Sequence, residues 1–182
     1  MISIINNPGS TVAYFRQENY EALLKSGSDK RELEREGVKR LLDELGYAGL
    51  SVGYKTSGQP YLQESPELYL SVSHSKGWFA VMVGTVPVGV DIQIYSERLQ
   101  AGQDYFRNDR EIAFENDEQA LHLIWCAKEA FYKWKEGEIA DLKEDFSVIE
   151  INEDTVLADY AENRYSLNYR SFEKAFLVFI SG

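Results

Sequence analysis

The segment from Asn116 to Gly137 constrains the fold most, because its apolar residues recur at helical spacing and demand a surface to cover them. Leu121, Ile124, Trp125, Phe131 and Trp134 form a broad apolar stripe. Asn116 is the expected N-cap, with a return contact from Gln119, and Gly137 after the basic Lys133 and Lys135 is the expected stop. The pattern predicts a helix from about residue 117 to about 136. Inside it runs Trp125-Cys126-Ala127-Lys128-Glu129-Ala130-Phe131-Tyr132-Lys133, which sets acid and base beside large aromatics. Glu129 and Lys133 stand one turn apart, a pairing common on any solvated helix, so the pair by itself points to no chemistry. Its partners elsewhere in the chain decide its meaning.

With 182 residues and 44% hydrophobic content, the chain can bury a substantial core in one domain or two intimately packed halves. The longest apolar region, Tyr69 to Ile94, is broken by His74, Lys76, Gly77 and Pro87, so no membrane span is expected. The first residues show no basic stretch followed by an apolar run, so no signal peptide is expected either, and a cytoplasmic location fits. The single cysteine, Cys126, cannot close an intramolecular disulfide, and together with the distant His74 and His122 it cannot build a structural zinc site. Thirty acidic residues against 19 basic ones give a net charge of -11, which argues against nonspecific nucleic-acid binding. An anionic ligand therefore requires a local basic cluster.

Before that helix, residues 1 to 20 suggest an opening strand or two around Asn6-Asn7-Pro8-Gly9. Ser28 or Asp29 caps an amphipathic helix with Leu33, Val38, Leu41, Leu42 and Leu45 on its apolar face and Gly46 at its end. Its polar side carries Arg31, Arg35, Lys39 and Arg40, a run that reads first as a solvated face. Residues 51 to 62 read as a short strand and a Gly58-Gln59-Pro60 turn. Leu68 to Gly84 reads as a hairpin about Lys76-Gly77. Ser73, His74 and Ser75 sit at the end of its first strand. Such a histidine is usually a locally hydrogen-bonded structural residue, although two hydroxyls, an imidazole and the Lys76 ammonium together also suit a phosphate. In Val88 to Ile94, strand alternation puts Val90, Ile92 and Ile94 on one face and Asp91 with Gln93 on the other. Gly89 leaves room for backbone or ligand to approach beside the acid. Residues 101 to 118 offer a short helix, and 146 to 151 with 165 to 180 read as closing antiparallel strands.

Three of these motifs, Ser73-His74-Ser75, Gly89-Val90-Asp91-Ile92 and Trp125 to Lys133, resemble in order and spacing the 4'-phosphopantetheinyl transferase superfamily. The likeness is to its larger monomeric type, which activates peptide synthetases such as surfactin synthetase and acyl carrier proteins. The resemblance covers roughly residues 50 to 137 firmly. It implies an α+β fold of two similar halves, residues 1–87 and 88–182, packed as a pseudo-dimer with antiparallel sheets and the site between them. The helix-and-hairpin order of 28–84 echoes that of 117–180. The implied reaction attaches the 4'-phosphopantetheine of coenzyme A to a serine of an acyl or peptidyl carrier protein and releases adenosine 3',5'-bisphosphate. By the same resemblance Asp91 and Glu129 hold Mg²⁺ with Gln93 beside them, and Lys133 faces the phosphates with Lys128 as a second cation. His74 with Ser73 or Ser75 holds the 3'-phosphate, and Glu111 helps deprotonate the carrier serine. A site made within one chain implies a monomer.

Two departures bear on that expectation. Many relatives carry an acid where this chain has Gln93, so the metal site loses one charge. Many carry a lysine where it has Gln59, so a phosphate contact passes to Lys55 or Lys76 or is lost. These amides motivate an alternative reading as a relative that binds coenzyme A or a carrier protein without turnover. A Mg²⁺-dependent phosphohydrolase acting on another nucleotide is a third.

Overall fold

A computed structural model describes the whole chain, Met1–Gly182. Its strands fall into two antiparallel sheets, giving the mixed α+β architecture expected. The first sheet comprises β1 (Ser3–Asn7), β2 (Ser10–Arg16), β3 (Val52–Tyr54), β4 (Pro60–Leu62), β5 (Tyr69–Ser75) and β6 (Trp78–Gly84), in the order β1-β2-β6-β5-β4-β3. The second comprises β7 (Val88–Ile94), β8 (Phe146–Ile151), β9 (Thr155–Tyr160), β10 (Asn163–Phe172) and β11 (Ala175–Ser181), in the order β7-β11-β10-β9-β8. The helices are α1 (Tyr20–Lys25), α2 (Lys30–Glu44), α3 (Glu97–Ala101), α4 (Glu118–Trp134) and α5 (Leu142–Asp145). A 3-10 segment, Asp109–Phe114, takes the place of the short helix expected before α4.

Local chemistry explains most boundaries. Asp29 caps α2 by accepting the amide of Glu32, and Gly46 follows its end at φ +89°. The β5–β6 hairpin turns on Lys76 and Gly77, both at positive φ, the geometry that suits the twist of paired strands. For α4 the cap is Asp117, whose side chain accepts from the Ala120 amide at 3.0 Å, rather than Asn116. The carboxylate sits at the position from which a side chain can fold back on the helix start. Helix α1 and strand β9, each only six residues long, were not legible in the pattern.

Three apolar clusters stack the layers. One packs Val38, Leu41 and Leu42 of α2 on Phe15, Phe79 and Val81 of the first sheet. The largest packs α4 on the second sheet, with the Phe131 ring within 5.2 Å of the rings of Trp134, Phe146, Tyr160 and Tyr165. Between the sheets, Val12 and Met82 meet Val90, Ile92, Leu177 and Phe179. Strand β7 thus faces two ways. Val88, Val90 and Ile92 enter the inter-sheet core, and Gly89 faces α4.

Gly89 is where helix and strand come closest, since a Cβ there would run into the Ala130 carbonyl oxygen and the Trp134 side chain. The approach left open by the missing side chain is taken by the α4 backbone. Gly89→Ala should therefore lift α4 off β7 at a cost of about 1–3 kcal/mol or more, lowering the melting temperature by roughly 5 °C. An unchanged thermal unfolding curve would contradict this packing.

Candidate active site

Asp91 lies on β7 at the seam between the sheets, 6% exposed. Lys133 of α4 reaches it, donating to Asp91 Oδ1 at 2.7 Å and to the Val90 carbonyl at 3.1 Å. One turn back along α4 stands Glu129, half-buried. Burial pushes the Glu129 carboxyl above its ordinary range, the negative charge of Asp91 raises it further, and Lys133 pulls it part of the way back. Cys126, another turn along, is held well above its ordinary range by burial and then by Asp91, and so stays a neutral thiol. Lys133 thus pairs with the Asp91 carboxylate, and the Glu129 carboxylate lies near enough to feel the charge of both. Gln93 follows Asp91 on the same side of β7, half-buried and paired in register with Phe176.

The seam is closed by a feature that only the tertiary structure exposes. Ser71, Ser73 and Ser75 alternate along β5 and accept the amides of Val90, Ile92 and Ile94 at 3.0, 3.1 and 3.3 Å. Strand β7 is the edge of its sheet, and these hydroxyls satisfy the amides that its own sheet leaves unpaired. Ser73 Oγ also donates to Asp91 Oδ1 at 2.7 Å. Ser73 thus engages β7 through both its oxygen and its proton, whereas Ser75 accepts one amide and keeps its proton to donate. The signal was present as serines at a period of two, but it named no partner.

His74 projects to the opposite face of β5, with Nδ1 3.3 Å from Glu34 Oε1 of α2. It borders two depressions. A cleft of about 300 Å³ is lined by Gln59, Val72, His74, Glu129, Tyr132 and Lys133. It shares Tyr54, Val72 and His74 with a groove of about 700 Å³ along α2, where Arg31, Arg35 and Lys39 stand. The run that read as a solvated face is thus one wall of this groove. Over the cleft, Lys55 Nζ of the β3–β4 turn pairs with Glu136 Oε2 at 3.2 Å, 81 residues away at the end of α4. Gln59 Oε1 is buried without a protein partner, which leaves an acceptor for a ligand N–H.

Glu111 and Lys128 are placed elsewhere. Glu111 is fully buried, accepts the amides of Asn108 at 3.0 Å and Val148 at 2.8 Å, and pairs with Lys128 Nζ at 3.3 Å. The ammonium also donates to the carbonyls of Lys143 and Phe146. Burial raises the Glu111 carboxyl and lowers the Lys128 amine, and the pair's mutual attraction opposes both effects. Neither group faces the cleft, so the expected base and second phosphate cation form a structural pair behind α4. Adjacent positions on a helix point about 100° apart, which sends Lys128 inward and Glu129 to the cleft.

This arrangement, two carboxylates and a lysine from a strand and a helix near a groove with three basic side chains, coincides with a sequence match. Residues 87–178, half of the chain, match the model of the 4'-phosphopantetheinyl transferase superfamily. The chain belongs to that superfamily. A curated 4'-phosphopantetheinyl transferase of Bacillus subtilis is 30% identical over 99 residues, covering 49% of the chain and 42% of that protein. In that match the chain spans less than half of the relative's length. Asp91, Glu129 and Lys133 fall inside the segment that matches the superfamily, whereas Ser73 and His74 precede it. No helix of this superfamily member is long and apolar enough to cross a membrane.

Proposed function

We propose that this protein transfers the 4'-phosphopantetheine of coenzyme A to a serine of an acyl or peptidyl carrier protein, with Mg²⁺ as cofactor. The observation that carries the reading is Lys133, which pairs with the buried Asp91 at 2.7 Å and lines the cleft together with Glu129, one turn back on the same helix. The donor set fits a hard cation. Asp91 and Glu129 offer only oxygen donors, and their carboxylates repel one another. Magnesium is usually held by one or two carboxylates, with phosphate oxygens and water completing the shell. Asp91 and Glu129 would hold it, with Gln93 beside them, and when bound it supplies neutralisation of the pyrophosphate charge.

The chain's own residues do the remaining work. Lys133, fixed by Asp91 and the Val90 carbonyl, presents its ammonium beside the phosphates. Arg31, Arg35, Lys39 and His74 line the groove offered to the nucleotide end, with the 3'-phosphate as their target, and His74 would exchange Glu34 for that phosphate. Lys55 stands over the cleft in the place of the lysine that Gln59 replaces, held by Glu136 until an anion competes for it. Three cations against two carboxylates, Asp29 and Glu34, leave the groove less acidic than a chain of net charge -11, which favours it as the place where an anionic ligand enters. On this reading the halves 1–87 and 88–182 form the site within one chain, and the protein acts as a monomer in the cytoplasm.

Intact-mass spectrometry of an apo carrier protein incubated with the enzyme, coenzyme A and Mg²⁺ tests the reading. The expected result is a gain of one phosphopantetheine that EDTA abolishes. No gain across several carriers, despite measurable coenzyme A binding, would assign the chain to binding without turnover. Adenosine 3',5'-bisphosphate formed without any carrier would indicate hydrolysis instead.

A further inference from the structure

We infer that Ser73 is a positioning residue that orients Asp91 for metal binding, an inference that rests on the reading of Asp91 and Glu129 as the metal pair. Ser71, Ser73 and Ser75 each accept one β7 amide, and in that respect they are equivalent stitches between the sheets. Only Ser73 does more. A hydroxyl carries one proton, and with its oxygen accepting from the Ile92 amide, Ser73 gives that proton to Asp91 Oδ1 at 2.7 Å. Lys133 donates to the same oxygen, also at 2.7 Å. Two donors on Oδ1 fix the rotation of the carboxylate and leave Oδ2, which engages neither, as its coordinating oxygen.

The arrangement has the form of a ligand held by an outer partner that is itself anchored to backbone. Such partners govern metal affinity because a carboxylate free to rotate must be immobilised each time the metal binds. Ser73 is 7% exposed and Asp91 6%, so water has little room to replace the lost donor. Ser73 lies in the first sheet and Asp91 in the second, so the same bond makes the metal site depend on correct seating of one sheet against the other.

The test compares Ser73→Ala with Ser71→Ala, since both remove one interstrand hydroxyl and only the first removes a donor to Asp91. Mn²⁺ binding to the full chain in the presence of coenzyme A is followed by electron paramagnetic resonance, and thermal unfolding is followed alongside. Ser73→Ala is expected to weaken Mn²⁺ binding by about tenfold or more, while Ser71→Ala stays within about threefold of wild type. Both should lower the melting temperature by a similar amount, and Ser73→Thr, which keeps the hydroxyl, should restore most of the affinity. Equal weakening in the two alanine variants, or an unchanged Mn²⁺ affinity in Ser73→Ala, overturns the positioning role while the metal site stands. A wild-type protein that binds coenzyme A but no Mn²⁺ overturns the metal reading itself, and the positioning role with it.

Discussion

Glu129→Gln should sharply reduce the proposed phosphopantetheine transfer while leaving the fold at least as stable as wild type. Both effects arise from the same geometry. Burial and the charge of Asp91 hold the Glu129 carboxyl above its ordinary range, with Lys133 offsetting only part of this. A carboxyl whose folded value is raised favours the folded state when protonated. That contribution is present at acid pH and is lost as pH rises through the folded value, so at neutral pH the ionised group costs stability. Replacing it with a neutral isostere removes that cost. The same change removes one of the two carboxylates proposed to hold the metal, and the rate should fall by roughly 10³-fold. Transfer rates from intact-mass time courses and melting temperatures from calorimetry check the two halves of the prediction. A variant that retains transfer within tenfold of wild type, or that melts several degrees lower, would contradict the assignment.

Lys128→Met should do the reverse, damaging the fold rather than the chemistry. The Lys128 ammonium is 1% exposed and neutralises Glu111, which is fully enclosed. Removing one member of a buried pair leaves the other uncompensated, at about 3–5 kcal/mol. Because burial already raises the Glu111 carboxyl, protonation can relieve part of this, which favours the lower end of the range. The melting temperature should fall by roughly 10 °C. Adding Glu111→Gln removes the orphaned charge and keeps an acceptor for the amides of Asn108 or Val148, so the double variant should recover about half of the loss. Transfer should fall only in proportion to the folded fraction. A Lys128→Met protein with wild-type stability and greatly reduced transfer would return Lys128 to the phosphates and overturn its structural role.

Helices α2 and α4, the β5–β6 hairpin and the two-faced strand β7 were legible because their signals are local. Apolar spacing, a capping Asp29, a stopping Gly46 and a Lys76-Gly77 turn act within a few residues of themselves. Helix α1, at six residues, spans fewer than two turns, too few for a helical period to stand out. Asp91, Glu129 and Lys133 were legible as candidates; Asp91 and Lys133 pair at 2.7 Å, and Glu129 stands one turn back along α4. Glu111 and Lys128 were drawn into the site by motif position and pair with each other behind α4, while Ser73 bonds Asp91 itself.

By itself, the sequence determined which residues share a face, where elements begin and end, and which side chains have the chemistry to hold a metal or a phosphate. Only the tertiary structure decided what stands opposite those faces. It turned Lys128 inward to Glu111 and Glu129 outward to the cleft, gave the β5 serines to the unpaired amides of β7, and made the charged face of α2 a wall of the groove beside His74. The physical reason is one of range. Backbone periodicity is set by neighbours three or four positions away, whereas the fate of a buried charge or hydroxyl depends on partners brought close from tens of residues along the chain.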